Sequence, residues 1–317
     1  MLPQQNYGVL VRCYTYNHGE YVAEALESFI KQKTNFPFCV LVVDDCSTDN
    51  TVSIVKEYEK RYPEIIKGIY LPENLYSQGR SSEKDIYVNP WRKVSKYEAI
   101  CEGDDWWIDD NKLQKQYDAL EAHPDVDMCA CETIKFCDNK EVGRIAPSSI
   151  TRILTVEETI TGGGAFLGTN TLFYRTSLME NIMRFYESCR LDYFLQIQGA
   201  LRGGIYYISE CMSAYRVMAK GSWSSRVVMN CNLCYRHICN VIKYLHVLNV
   251  ETSCKYQDSI YQRLDALYFL LFEYGVRCSS FDDSIQRLTC WARLKLVFYL
   301  IRKFLGRKSQ RRKWHII

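Results

Sequence analysis

The chain has 317 residues, 47% of them hydrophobic, enough to bury one large core or two smaller ones. No window of 18 apolar residues occurs, and Met1-Leu2-Pro3-Gln4-Gln5-Asn6 lacks the charged and apolar regions of a signal peptide, which excludes a spanning helix and predicts a cytoplasmic chain. The net charge of +3 hides an asymmetry: residues 1–283 carry −7 and residues 284–317 carry +10, an acidic body with a basic tail.

In chain order, Val9-Leu10-Val11-Arg12-Cys13 predicts a short strand. From Glu20, the spacing of Val22, Ala25, Leu26, Phe29 and Ile30 predicts a helix. Val40-Leu41-Val42-Val43 reads as a strand covered on both faces, followed by Asp44-Asp45-Cys46-Ser47-Thr48-Asp49 and a helix over Thr51 to Tyr62. Strand, helix, strand, helix implies a parallel βαβ unit of a doubly wound α/β fold. The first strand ends at Tyr14 and Tyr16, the second at Asp44 and Asp45. An aromatic ring beside a carboxylate can stack on a nucleobase and accept from its ring N–H, whereas the same Asp44 to Asp49 run can serve as a helix cap. Residues 63–95 read as loop, punctuated by Pro72-Glu73-Asn74, Ser77 to Ser82 and Asn89-Pro90. Arg80, Arg92 and Lys96 in this region are expected to be solvated surface cations rather than diphosphate ligands.

Tyr97 to Cys101 predicts a strand and Lys112 to Ala122 a helix, with Glu102-Gly103-Asp104-Asp105-Trp106-Trp107 between them. This stretch, followed by Asp109 and Asp110, is not expected from packing. Its carboxylates would lie at the carboxyl end of a strand, where open α/β sheets bind ligands, and hard oxygen donors there suit Mg²⁺ or Mn²⁺. Asp127 to Thr133 is a further strand, with Cys129 and Cys131 on a buried face. Fifteen cysteines without a leader predict reduced thiols rather than disulfides. Thr161-Gly162-Gly163-Gly164 to Arg175 reads as a flexible loop running into a strand; no Gly-Lys-Ser/Thr follows, so it is no P-loop. Arg190-Leu191-Asp192 opens a helix reaching about Leu201, where Asp192 is a first-turn acid or a general base. Three further helices are expected at 227–247, 260–274 and 284–305. The Cys231, Cys234, His237 and Cys239 group on the first of them lacks the paired spacing of a zinc site.

Four short stretches in this order carry a resemblance. Val11 to Asn17, Val42 to Thr51, Glu102 to Trp107 with Lys112 to Gln116 behind it, and Ala214-Tyr215-Arg216-Val217-Met218 together resemble family 2 glycosyltransferases over about residues 8–225. The resemblance implies a GT-A domain over 1–225, with a mostly parallel central sheet between helices, and a helical extension over 226–317. It implies inverting transfer of a sugar from a nucleotide-diphosphate sugar to a hydroxyl of a saccharide or lipid-linked glycan. Of the donor-site residues, Tyr14, Tyr16, Asn17, Asp44 and Asp45 would hold the base and ribose, with Tyr16 near the base and Asp45 on its edge. Asp104 and Asp105 would hold Mn²⁺ or Mg²⁺ and the diphosphate, Asp105 being the first choice as direct ligand. Asp192 would deprotonate the acceptor, and the glycine loop would line the acceptor side. Many members carry a histidine where this chain has Met218, and a thioether is a poor ligand for either cation. The surrounding sequence looks most like enzymes of bacterial capsule, O-antigen or exopolysaccharide synthesis.

Trp291 to Leu305 and the basic run Gly306 to Trp314 suit peripheral contact with the anionic inner face of the cytoplasmic membrane. Nucleic acid is not expected as a partner, because the body is acidic and no nucleic-acid motif accompanies the tail. A nucleotidyltransferase of related fold, a receiver module and a degenerate nucleotide-binding protein are the rival readings. The first lacks its glycine-rich basic loop, and the second has no place for Asp104-Asp105 or Asp192.

Overall fold

The computed structural model describes residues 3, 5–220, 222, 225–226 and 230–277. They fall into two compact units. The first comprises the described residues up to Val156, with Phe166–Ile182 and Leu195–Ala219; the second comprises Glu157–Ala165, Met183–Phe194 and the described residues from Lys220 onward.

The first unit starts as β1 (Tyr7–Thr15), α1 (Val22–Ile30), β2 (Phe38–Asp44), α2 (Thr51–Arg61) and β3 (Ile66–Tyr70), with β1 parallel to β2 and β2 parallel to β3. Side chains alternate across the strands, so the apolar runs feed two cores. Val9, Val11, Cys13, Val40 and Val42 meet Val22, Ala25, Leu26 and Phe29 of α1 on one face. Leu10, Cys39, Leu41 and Val43 meet Leu71, Leu75, Val88 and Trp91 on the other. Both faces of β2 are therefore covered, as its unbroken apolar run requires.

The stretch 63–95 differs from the loop expected. It holds β3, a 3-10 turn over Ser81–Lys84 and α3 (Asp85–Arg92), with Pro90 inside the helix. Pro90 can make no bond to the carbonyl four residues back, but that carbonyl belongs to Ile86 in the first turn, and Val88 and Trp91 hold the helix on the sheet. The strand β4 (Ser95–Ile100) then pairs in parallel with β1 on the side away from β2. The order of strands reverses between β1 and β4, and ligands of open α/β sheets bind outside the carboxyl ends of strands at such a point.

The sheet continues with β5 (Trp106–Trp107), α4 (Lys112–Ala122), β6 (Met128–Cys137), β7 (Lys140–Ile145) and β8 (Arg152–Leu154). After them come β9 (Phe173–Arg175) and β10 (Ile205–Arg216). Among the described residues the strand order is β3-β2-β1-β4-β9-β6-β10-β5, with β7 beside β6 and β8 beside β10. Antiparallel β9 joins the parallel half to the β6–β10 pair.

In chain order the helices continue with α5 (Val156–Gly162), α6 (Arg184–Glu187), α7 (Asp192–Ala200), α8 (Cys231–Glu251) and α9 (Gln257–Arg277). The second unit contains α6, α8 and α9, nearly all of α5 and the first turn of α7. Glu251 at the end of α8 accepts the backbone N–H of Arg184 and Phe185 at 3.0 and 2.8 Å. The helix expected over 284–305 and the basic tail lie outside the described residues.

One charged group runs through the first core. Glu98 of β4, fully buried, accepts Arg12 Nε of β1 at 2.5 Å and Arg92 Nε of α3 at 2.6 Å. Asp85 takes the other side of Arg92 at 2.6 Å, so two cations and two anions balance. Burial pushes the Glu98 carboxyl up, but Arg92 and Arg12 outweigh it and hold it at about 2. Glu98→Gln leaves two buried guanidiniums facing each other and is expected to cost about 3–5 kcal/mol in denaturant-induced unfolding. Because the folded value lies below the unfolded carboxylate value of about 4.3, the contribution of Glu98 is complete above that pH. It is lost as pH falls from there through about 2, so the gap in stability between wild type and Glu98→Gln should narrow over that window.

Candidate active site

The loops leaving β1 and β2 are laced together by short polar side chains. Asp44 closes β2 and is spent locally: its Oδ1 accepts Thr15 Oγ1 at 3.0 Å and Ser47 Oγ at 2.5 Å, and its Oδ2 accepts Ser47 N at 2.8 Å. Asn17 adopts a left-handed conformation (φ 55°) that turns its amide toward the neighbouring loop. Its N–H donates to Ser47 Oγ and its Oδ1 accepts Thr48 N, both at 2.8 Å. Asp49 accepts Thr51 N at the start of α2 and Gly19 N from the β1 loop. The capping role thus falls to Asp49.

Asp45 faces the segment after β3. It is buried and accepts Leu75 N at 2.9 Å, Tyr76 N at 3.1 Å and Lys84 Nζ at 2.8 Å. The same ammonium lies 4.9 Å from the centre of the Tyr14 ring, with Arg12 4.5 Å from that ring. Tyr16, one step beyond the strand, keeps 38% of its surface exposed. The expectation for Arg92 needs correction: it is buried in the pair with Glu98, neither solvated nor at a strand end. Arg80 pairs with Glu73 and Glu83, and Lys96 with Glu121, all on partly exposed side chains.

Beyond β4 the chain stays close to β1, with Gly103 N donating to Tyr14 O. A Cβ at Gly103 would lie 2.5 Å from Thr15 Cγ2 and 3.0 Å from His18 Nδ1, so glycine is needed there. Asp104 and Asp105 follow, both buried. Asp105 Oδ1 accepts the backbone N–H of Arg216, the last residue of β10, at 2.8 Å. The Arg216 guanidinium donates to the Asp104 carbonyl and to Glu24, and lies 4.5 Å from the rings of both Tyr21 and Trp106. Asp104 Oδ2 approaches only the imidazole of His18, at 3.9 Å. Among the described residues no lysine or arginine side chain forms an ion pair with either carboxylate. Burial and then the neighbouring Asp104 push the Asp105 carboxyl well up. Two buried carboxylates without a matching cation fit a hard divalent ion in chemistry and charge. No three His, Cys, Asp or Glu side chains gather around one point among the described residues, so phosphate and water would complete any shell.

Trp107 beside this pair is packing, contrary to the expectation, whereas Trp106 is half-buried and faces the Arg216 guanidinium. Trp107 is 4% exposed, donates Nε1 to Asn170 O at 3.0 Å and meets Phe29 edge-on at 4.7 Å. Asp109 likewise serves the turn into α4, accepting Asn111 N and Lys115 Nζ. Cys129 and Cys131 lie in the core, where burial raises both thiols.

Asp192 belongs to the second unit. It is exposed at the start of α7, just after Arg190, whose left-handed backbone (φ 51°) redirects the chain out of α6. The two residues behind it anchor that turn: Tyr193 Oη donates to Ile160 O at 2.6 Å, and Phe194 packs against Phe185 and Tyr244. The glycine loop lies in the same unit, with Gly163 at φ 77° against the Arg263 guanidinium. Tyr14, Asn17, Asp44, Asp45, Asp104 and Asp105 thus share the strand ends of the first unit, while Asp192 and the glycine loop share the second. Met218 is half-buried with φ 62°; most of the Gly221 to Ser224 loop after it lies outside the described residues.

Sequence reasoning missed Lys84, Arg216 and His18 as members of the site. A signal was present for the network beneath it. Arg12 and Glu98 are opposite charges inside otherwise buried strands, and such charges must be paired.

Comparison with known proteins supplies the family. The model of "Glycosyl transferase family 2" matches residues 13–182. An uncharacterized protein of Mycobacterium tuberculosis is 34% identical over 217 residues, 67% of this chain and 59% of that protein's length. The dTDP-rhamnosyl transferase RfbG of Shigella flexneri is 32% identical over 111 residues, 33% of this chain and 36% of its own. Among solved structures, Staphylococcus aureus TarS 1-349 in complex with UDP superposes with a TM-score of 0.53 at 18% identity, covering 91% of this chain and 78% of that one. Staphylococcus aureus TarS without the truncation gives 0.58 at 17% identity, covering 93% of this chain and 53% of that one. The likeness in structure bears out the GT-A fold, and the family model matches more than half of the chain: this chain belongs to glycosyl transferase family 2.

Proposed function

We propose that the protein transfers a sugar, with inversion, from a nucleotide-diphosphate sugar to a hydroxyl of a saccharide or lipid-linked glycan. The observation carrying this reading is the buried Asp104–Asp105 pair, which forms no ion pair with a lysine or arginine among the described residues, beside the point where the strand order reverses. The TarS structures that share the fold are described as complexes with UDP and with UDP-GlcNAc, which supports a nucleotide-sugar donor. The relative RfbG is named a dTDP-rhamnosyl transferase, which supports transfer of a sugar from a nucleotide-diphosphate donor.

In this reading Tyr16 stacks on the base. Asp45 Oδ1, which accepts only Leu75 N, has a lone pair left for the base edge, while Lys84 bonds to Oδ2 and holds the carboxylate in place. Asp44 and Asn17 act through the loops they lace together. Asp104 and Asp105 would hold Mn²⁺ or Mg²⁺, which when bound neutralises charge on the diphosphate leaving group. Asp104 is the better placed of the two for direct ligation, because Asp105 Oδ1 is engaged by Arg216 N. Asp192, exposed at the start of α7, takes the proton of the acceptor hydroxyl as that oxygen attacks the anomeric carbon. The glycine loop is assigned to the acceptor side.

The described residues hold no helix long and apolar enough to cross a membrane. The ten basic residues after Asp283 support peripheral contact with an anionic bilayer at the cytoplasmic face, each base near the surface being worth about 1 kcal/mol.

Calorimetric titration with UDP and GDP is expected to show one nucleotide binding only with Mn²⁺, and Asp104→Ala is expected to lose it. Absence of binding by either nucleotide with Mn²⁺ present would remove the donor site. Asp192→Asn should keep nucleotide binding while transfer falls by at least about 10²-fold; loss of nucleotide binding instead would give Asp192 a structural role. Deleting residues 291–317 is expected to abolish co-sedimentation with phosphatidylglycerol vesicles, and unchanged co-sedimentation would remove the membrane contact.

A further inference from the structure

His18 follows Asn17 in the loop after β1, and its side chain is only 12% exposed. Its carbonyl accepts the N–H groups of Tyr21 and Val22 and so opens the first turn of α1, which fixes the backbone from which the imidazole projects. Neither ring nitrogen is satisfied. Nδ1 is buried without a hydrogen-bond partner, and Nε2 makes only the 3.9 Å approach to Asp104 Oδ2, too long for a hydrogen bond. Nδ1 lies on the Gly103 side of the ring, and Nε2 is the nitrogen on the Asp104 side. Glycine at 103 is what lets the ring lie there, since a Cβ would come within 3.0 Å of Nδ1.

We propose that His18 Nε2 is a direct ligand of the divalent cation, sharing it with Asp104 Oδ2. Two ligands each about 2.1 Å from one ion lie between about 3.0 Å apart at a right angle and about 4.2 Å apart on opposite sides. The observed 3.9 Å lies about 0.3 Å short of the opposite arrangement, which a small side-chain rotation would reach. Imidazole suits Mn²⁺ better than a thioether does, so His18 supplies from the β1 loop the nitrogen that Met218 cannot supply after β10. Asp105 then braces the site through its bond to Arg216 N, and diphosphate oxygens and water complete the shell.

The inference rests on the donor-site reading above, and one experiment separates the two. The full chain, His18→Ala and His18→Gln are titrated with Mn²⁺ in the presence of UDP or GDP, with free and bound ion followed by electron paramagnetic resonance. Pulsed spectra of the wild-type complex are expected to show nitrogen-14 modulation from a bound imidazole. Both variants are expected to lose it and to bind Mn²⁺ at least about 10-fold more weakly, the lower bound when even outer partners of metal ligands are removed. Circular dichroism of both variants checks that they fold, and Gln retains the volume if Ala does not. Nitrogen modulation and affinity retained without His18 would overturn the proposal. Weaker binding with no nitrogen signal in the wild type would also overturn it, making His18 a positioning residue for Asp104. A wild type that binds no Mn²⁺ with either nucleotide would overturn the donor-site reading itself, and the ligand role with it.

Discussion

A glutamate held between two arginines sets the geometry on which the rest of the first unit depends. Arg12 and Glu98 sit on neighbouring parallel strands, and Arg92 reaches Glu98 from α3. Burying any one of these charges alone would cost several kcal/mol, so the three must meet in one arrangement. That arrangement fixes more than the strands. Arg12 also faces the Tyr14 ring, Lys84 covers the same ring, and Lys84 carries Asp45. A chain of ion pairs and cation–ring contacts therefore leads from the centre of the sheet to the base side of the proposed donor site.

The contrast with the other side of the site is where function becomes visible. The group around Glu98 is balanced in charge and joined by hydrogen bonds. Asp104 and Asp105, a few residues farther along the same strand direction, are nearly as buried and have no such balance. The core neutralises its charges in one place, whereas in the other no lysine or arginine ion pair reaches either carboxylate among the described residues, and the proposed cation site rests on that contrast. The lacing of Asp44, Asn17 and Ser47 between the loops keeps that second place rigid.

Much of this was legible in the sequence because periodicity reports burial. The α1, α2 and α4 helices, the first strands and the carboxylate pair stand where their patterns put them. Where the reading failed, a distant partner decided the outcome. Pro90 looked like a helix breaker, yet Val88 and Trp91 pin α3 to the sheet. Arg92 looked like surface although Glu98 is six residues on, because the pair is buried only by joining Arg12, 86 residues from Glu98. The two tryptophans looked functional beside the aspartates, but Phe29 and Asn170, both remote in sequence, claim Trp107 for the core. The exposed Asp192 is the opposite case. Its packing explains only its neighbours Tyr193 and Phe194, so the family resemblance carried its role.

The most direct test of the donor site is a crystal structure of the full chain grown with Mn²⁺ and whichever of UDP or GDP binds, with anomalous data collected for manganese. One manganese peak is expected within coordinating distance, about 2.1–2.3 Å, of Asp104. It should also touch the diphosphate, with the base beside Tyr16 and Asp45. A nucleotide bound away from the carboxyl ends of β1 and β4, or a manganese peak remote from Asp104 and Asp105, would contradict this placement of the donor.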